Sequence, residues 1–221
     1  MKLLFQTLTK LILGLVLVGL LLFLPAGTME YPNGWIFLGV LFVPVTIMGA
    51  VLYLKAPDLL RKRLNHKEKE KTQRGVIAFS GLMFPVSFIL SALDFRFWWS
   101  EVPTWLVILS AFLFLAGYVM FAEVMRENAY LSRTVEVQQG QKVISTGLYG
   151  VVRHPMYLAT LLMFLPIPLI LGSFWGLIPM FLYPVILVIR ILNEEKVLTE
   201  GLDGYAEYKT KVRCRLVPFV W

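Results

Sequence analysis

Charge is scarce in this chain. Only 16% of its 221 residues are Asp, Glu, Lys or Arg, against roughly 25% in soluble domains. A water-soluble globule is excluded on that ground. A single cysteine, Cys214, rules out an internal disulfide and a cysteine-rich metal site. Histidine is almost as rare. His66 and His154 lie on separate segments, so no metal site is expected. No G-x-G-x-x-G follows a strand and no Walker loop occurs, so the soluble nucleotide folds are not indicated. The formal charge of +7 does not point to nucleic acid. The basic residues cluster between apolar runs, where they act as topology signals and contacts to anionic lipid.

Apolar length is what the chain has in plenty: 58% of it is hydrophobic, and the mean hydropathy is +0.72. Six runs stand out: Leu3–Leu24, Trp35–Leu54, Gly75–Leu93, Val102–Ala122, Met156–Leu171 and Phe174–Ile191. A membrane span takes about 20 residues. The expectation is an all-α, multi-pass integral membrane protein of about six hydrophobic helices. The last two form a tight hairpin turning at Gly172-Ser173. Gln6, Thr7, Thr9 and Lys10 interrupt the first run, so its hydrocarbon part begins at Leu11. The run has signal-peptide features, but its apolar core is long and no A-x-A site follows; it is expected to be retained.

Lys and Arg alternate between connections. Two precede the first span, none lie in Pro25–Gly34, and eight lie in Lys55–Arg74. Only Arg96 lies in Asp94–Glu101, four lie in Glu123–Pro155, and six in Arg190–Trp221. The basic connections and both termini are therefore expected in the cytoplasm, with a prokaryotic chain in the inner or plasma membrane. Trp35, Trp98, Trp99, Trp105 and Trp175 fall at the opposite ends of the spans, as an interfacial aromatic belt requires. The connector Lys55–Arg74 reads as a solvated loop or surface helix, with His66 exposed on it. Pro166, Pro168, Pro179 and Pro184 interrupt the last hairpin, and freed backbone of that kind is tolerated where it lines a cavity.

Polar chemistry is concentrated in two stretches that flank this hairpin, Gln141–Tyr157 and Arg190–Trp221. The topology brings them to one end of the bundle. Arg190 and Glu194 are four apart on a helix and share a face. Arg190 offers a planar fork for a carboxylate or phosphate, and Glu194 a charge for an ammonium group. A plain ion pair between the two is the competing reading. Glu195 points about 100° further round and is the weaker candidate. His154 precedes a proline, which pushes it towards extended geometry, and Pro155 suits a first helical turn. Tyr149 and Tyr157 flank the corner with faces suited to an adenine ring or a sulfonium cation.

These segments resemble the isoprenylcysteine carboxyl methyltransferase and phospholipid N-methyltransferase superfamily. The likeness rests on T-G-L-Y-G-V-V-R-H-P-M-Y at Thr146–Tyr157, N-E-E-K-V-L at Asn193–Leu198, the stretch Tyr205–Pro218 and Trp221. The tail V-R-C-R-L-V-P-F-V-W is similar to that of the prokaryotic members. The resemblance implies S-adenosyl-L-methionine as cofactor, in a cytosolic site formed by the C-terminal part. Carried over by position, Gln141, Lys142, Val143, Ile144, Tyr149, His154, Pro155, Met156 and Tyr157 would surround it, with Glu194 on its amino group. Arg190 would orient the acceptor, and Arg190 and His154 are the expected catalytic residues. Gln141 stands where the eukaryotic enzymes have His. The division expected is 1–122 as membrane helices and 123–221 as the methyltransferase region.

Methyl transfer from a sulfonium is an in-line displacement that needs alignment more than proton chemistry. A carboxylate acceptor is ionised at neutral pH and needs no base. An amine would have to be deprotonated first, which His154 or Glu194 would assist. An isoprenylcysteine-like carboxylate is the expected acceptor, a lipidic or prenylated small molecule entering from the membrane lipids. The alternatives are a phospholipid amine N-methyltransferase, an NADPH enzyme like the sterol reductases, and a non-catalytic membrane scaffold. The doubled glutamate after Asn193 favours the methyltransferase over the reductase. The first four runs carry almost no charge for a transport path.

Overall fold

The computed structural model describes residues 2–64, 71–128, 130–131 and 137–221, so His66 lies outside the described residues. Regular structure among these residues is entirely helical. The chain runs through α1 (Lys2–Ala26), α2 (Pro32–Lys55), α3 (Pro57–Leu64), α4 (Lys71–Phe97) and α5 (Thr104–Glu127). A 3₁₀ turn at Gly147–Gly150 leads to α6 (Pro155–Phe164), α7 (Ile167–Ile170), α8 (Leu177–Met180), α9 (Leu182–Gly201) and α10 (Tyr205–Lys211).

Among the described residues, four segments rather than six are long and apolar enough to cross a membrane: Leu3–Ala26, Pro32–Lys55, Thr104–Glu127 and Leu177–Gly201. The third run falls in α4, whose first ten side chains lie outside the described set. The fifth run is where the count differs for a physical reason. Pro166 and Pro168 break it into α6 and α7, a shorter apolar helix over Pro155–Ile170. Ten helical residues in α6 reach only about 15 Å, half of a hydrocarbon core of about 30 Å. Exposed Ile12, Leu13, Val43, Ile47, Ile108, Phe112 and Val119 give α1, α2 and α5 an apolar outer surface.

The main core joins Leu22, Phe37, Phe88, Phe114, Ile170 and Leu171 from five helices and the α7–α8 turn. Gly117 permits the close approach of α5 and α6. A Cβ there would lie 2.8 Å from the Ala159 carbonyl oxygen, so only glycine fits.

The hairpin apex is tied down by polar groups that are fully buried. Ser173 Oγ donates to Asp94 Oδ2 at 2.5 Å and accepts the Gly176 N–H at 3.0 Å. Ser100 donates to the same carboxylate through its hydroxyl, at 2.5 Å, and through its backbone N–H, at 2.8 Å. Ser87 Oγ donates to the Gly176 carbonyl at 2.8 Å, and Tyr31 Oη to the Leu171 carbonyl at 2.6 Å. The broken backbone around the prolines is thus satisfied by α4 and the loops beside it. Pro166, Pro168, Pro179 and Pro184 line none of the three cavities described below.

Candidate active site

At the other end of the bundle the chain emerging from α5 folds across α6 and α9. Glu127, at the end of α5, fixes the turn that begins the T-G-L-Y-G segment. Thr146 Oγ1 donates to Glu127 Oε1 at 2.9 Å, and a Cβ on Gly147, where φ is +50°, would fall 2.2 Å from that oxygen. A side chain would strike the carboxylate and strain the backbone. Asn128 Nδ2 then donates to Tyr149 Oη at 2.9 Å, and Tyr208 Oη donates to the Tyr149 carbonyl at 2.7 Å. Tyr149 is held at both ends.

Arg153 and His154 meet the tail as a short paired segment. The Arg153 N–H donates to the Cys214 carbonyl and the His154 N–H to the Arg215 carbonyl, both at 2.9 Å. His154 has φ −123° and Pro155 opens α6, as the His-Pro sequence leads one to expect. The buried Arg153 guanidinium donates through Nε to Glu195 Oε1 at 2.6 Å and through Nη1 to the Val212 and Arg213 carbonyls at 2.7 and 2.9 Å. Arg215 Nε reaches the other Glu195 oxygen at 3.0 Å, and His154 Nε2 lies 3.4 Å from the first. Glu195 is therefore the hub that joins α9, the Arg-His-Pro corner and the tail. The sequence reading ranked it below Glu194 as a ligand group because it points further round the helix, and its partners come from segments distant in sequence.

Glu194 faces a different neighbour. Tyr157 Oη donates to Glu194 Oε2 at 2.5 Å and accepts from Arg190 Nε at 2.8 Å. The Arg190 guanidinium carbon lies 5.8 Å from the centre of the Tyr157 ring, whose other neighbour is the His154 ring, stacked at 5.7 Å. The shared helical face of Arg190 and Glu194 is confirmed, and a hydroxyl from α6 lies between them.

Asn128, Tyr149, Arg153, His154, Tyr157, Arg190 and Glu194 border one open cleft, whereas Glu195 is not among its lining residues. Gln141, Lys142, Val143, Ile144, Tyr149, His154, Pro155, Met156, Tyr157, Arg190 and Glu194 line the cleft, so the structure brings the residues expected around cofactor and acceptor to one place. Leu131, Leu198, Leu202, Tyr205 and Tyr208 also line it and were not foreseen. The Tyr205-x-x-Tyr208 spacing, one turn of α10, was the available signal. Burial, reinforced by the Glu195 charge, pushes both phenols well above their ordinary pKa, so they stay protonated donors. Among the described residues no group of His, Cys, Asp and Glu suited to a metal ion occurs.

Residues 105–203 match the phospholipid methyltransferase family model. The match covers somewhat less than half of the chain. The phospholipid methyltransferase family lies within the superfamily whose motifs the sequence carries, so the likeness is to membrane methyltransferases, with the acceptor unspecified. Methyltransferases of the family typically use S-adenosylmethionine. No curated protein matches the chain. The cleft suits such a donor on one independent observation. Tyr205 Oη is buried in its wall without a hydrogen-bond partner among the described residues, and a buried hydroxyl left so is costly unless a ligand or water completes it.

Proposed function

We propose that the protein transfers a methyl group from S-adenosyl-L-methionine to a lipidic acceptor bearing a negative charge, with an isoprenylcysteine-like carboxylate as the first choice. The reading is carried by one observation: a guanidinium and a carboxylate of opposite tasks, Arg190 and Glu194, meet on the hydroxyl of Tyr157 inside one cleft. The cofactor supplies an electrophilic methyl group on sulfur. Glu194 holds its ammonium, and Tyr149, Ile144 and Met156 supply apolar and aromatic surface for the rest. Tyr205 offers its unmatched hydroxyl to a polar group of the same ligand.

Arg190 forks the acceptor's anion and aims its oxygen along the axis of displacement, and Tyr157 fixes the Arg190 side chain in that pose. No proton has to move for a carboxylate acceptor. His154 keeps its place through Glu195. A second reading has its own support in the name of the matched family: a phospholipid amine, with its phosphate on Arg190 and Glu194 or His154 taking the ammonium proton.

The two acceptors separate in one experiment. Membranes containing the protein are incubated with the cofactor labelled in its methyl group, and the lipid extract is treated with base. Volatile label identifies a methyl ester; label retained on the lipid identifies a methylated amine. Absence of labelled lipid in both fractions overturns the reading.

The cleft faces the cytoplasm in this proposal, on the strength of the alternating Lys/Arg count. Single cysteines at Glu30 and Gln139, both exposed, test it in a Cys214→Ser background. An impermeant thiol reagent applied to intact cells should label position 30 and spare position 139. The reverse pattern overturns the orientation.

A further inference from the structure

The polar interruption at the head of α1 has no part in the methyltransferase cleft. Gln6, Thr9 and Lys10 stand at positions i, i+3 and i+4 of a helix that is otherwise apolar, and so share one face. They line a shallow recess together with Arg61 and Leu64 of α3. Lys10 Nζ donates to the Leu64 carbonyl at 2.8 Å, which joins the two helices and uses one of the three ammonium donors. Arg61 spends Nη1 on Asp58, at 2.8 Å, and keeps Nε and Nη2 for other partners. Among the described residues no carboxylate lines the recess.

Beneath the recess lies a strongly apolar groove of about 530 Å³ between α1, α2 and α5. Its volume is within the range of about 300–1,000 Å³ usual for small-ligand sites. Lys10 and Leu64 belong to both cavities, so the cationic recess and the apolar groove are continuous. The groove and the methyltransferase cleft share no lining residue. Met48, Leu52 and Phe121, which line the groove, pack against the cluster containing Tyr149 and so form the partition between the two.

We propose that this composite cavity binds one anionic phospholipid, its phosphate at Lys10 and Arg61 and one acyl chain in the groove. Charge complementarity selects the occupant. A chain alone would need only the groove, and a zwitterionic headgroup would place its own cation against two others. The site holds a lipid distinct from any acceptor, because neither the recess nor the groove shares a lining residue with the cleft of Arg190 and Glu194.

Native mass spectrometry of the full protein released from mixed micelles reads the site directly. The probes are phosphatidylglycerol and phosphatidylcholine with identical chains, and sn-glycerol 3-phosphate as a headgroup without chains. One phosphatidylglycerol should be retained in preference to phosphatidylcholine. The Lys10→Gln/Arg61→Gln double variant should lose about thirtyfold of that preference, the scale of two basic side chains beside an anionic headgroup. Gly49→Leu, whose new side chain points from α2 towards Thr7 across the groove, should weaken retention of both lipids. S-adenosylhomocysteine binding should be unchanged in all variants, which verifies their fold and separates this site from the cleft. Equal retention of the two lipids by the parent protein, an undiminished preference in the double variant, or tight binding of glycerol 3-phosphate alone overturns the proposal.

Discussion

Two buried carboxylates, one at each end of the bundle, are held in opposite ways. Asp94 is surrounded by neutral donors, the hydroxyls of Ser100 and Ser173 and a backbone N–H. Glu195 is surrounded by Arg153, Arg215 and His154. A hydroxyl both donates and accepts, so it can turn when its neighbour changes; a guanidinium only donates. The Asp94 network can adapt to a changed side chain, whereas the Glu195 network has one workable arrangement. The apex of the hairpin is therefore a tolerant fastening, and the Arg-His-Pro corner an intolerant one.

Substitution at Glu195 should break this contrast most severely. In Glu195→Gln the new amide N–H₂ faces a guanidinium, and a buried Arg153 loses its counter-charge. Breaking a buried pair costs about 3–5 kcal/mol. The unfolding midpoint in detergent should drop, and S-adenosylhomocysteine binding should disappear with it. Retained binding at an unchanged midpoint would show that Glu195 is not the hub.

Glu194, one residue away, is predicted to behave differently. Glu194→Gln leaves the fastening intact and should weaken S-adenosylhomocysteine by about 1.5–3 kcal/mol, the scale of a hydrogen bond to a charged group. Stability should be close to that of the parent. Equal affinity in calorimetry would remove Glu194 from the donor site.

Arg190 sharpens the division of labour inside the cleft. Arg190→Lys keeps a charge but loses the fork and the Nε contact with Tyr157. Turnover of the acceptor should fall at least about tenfold, roughly 1.4 kcal/mol, with S-adenosylhomocysteine affinity nearly unchanged. A parallel loss of both quantities would place Arg190 on the donor instead.

The smallest effect is expected at the far end. Asp94→Asn should cost about 1 kcal/mol, because the Ser100 and Ser173 hydroxyls can reorient and only one bond is lost. Activity at moderate temperature should survive. A loss matching that of Glu195→Gln would erase the contrast between the two networks.

Local signals explain what the sequence made legible. The His154-Pro155 corner and the i, i+4 pair Arg190 and Glu194 are set by backbone rules that act over a few residues, and they appear where expected. Tyr157 reaches the space between that pair only because α6 packs beside α9, a tertiary fact. The fastening role of Glu195 is hidden for the same reason, since the tail that supplies Arg215 returns from 20 residues downstream. Ser87, Ser91 and Asp94 fall at i, i+4 and i+7 on α4, a spacing that marks one helical face. That polar stripe in an apolar run was a readable sign of the apex network. Periodicity gave the long helices, but the four prolines determine where the last hairpin breaks, and only the packing of its apex shows that the breaks are filled.

The pairing of Arg153 and His154 with Cys214 and Arg215 also imposes an order on biosynthesis. A ribosome delivers the Arg-His-Pro corner first, then the whole membrane hairpin, and the strand that completes the corner last. During that interval Arg153 has neither Glu195 nor the Val212 and Arg213 carbonyls to receive its guanidinium. The cleft is thus closed only after α6 to α9 have been made, and a nascent chain halted before residue 212 holds the Arg-His-Pro corner without its partners from the tail.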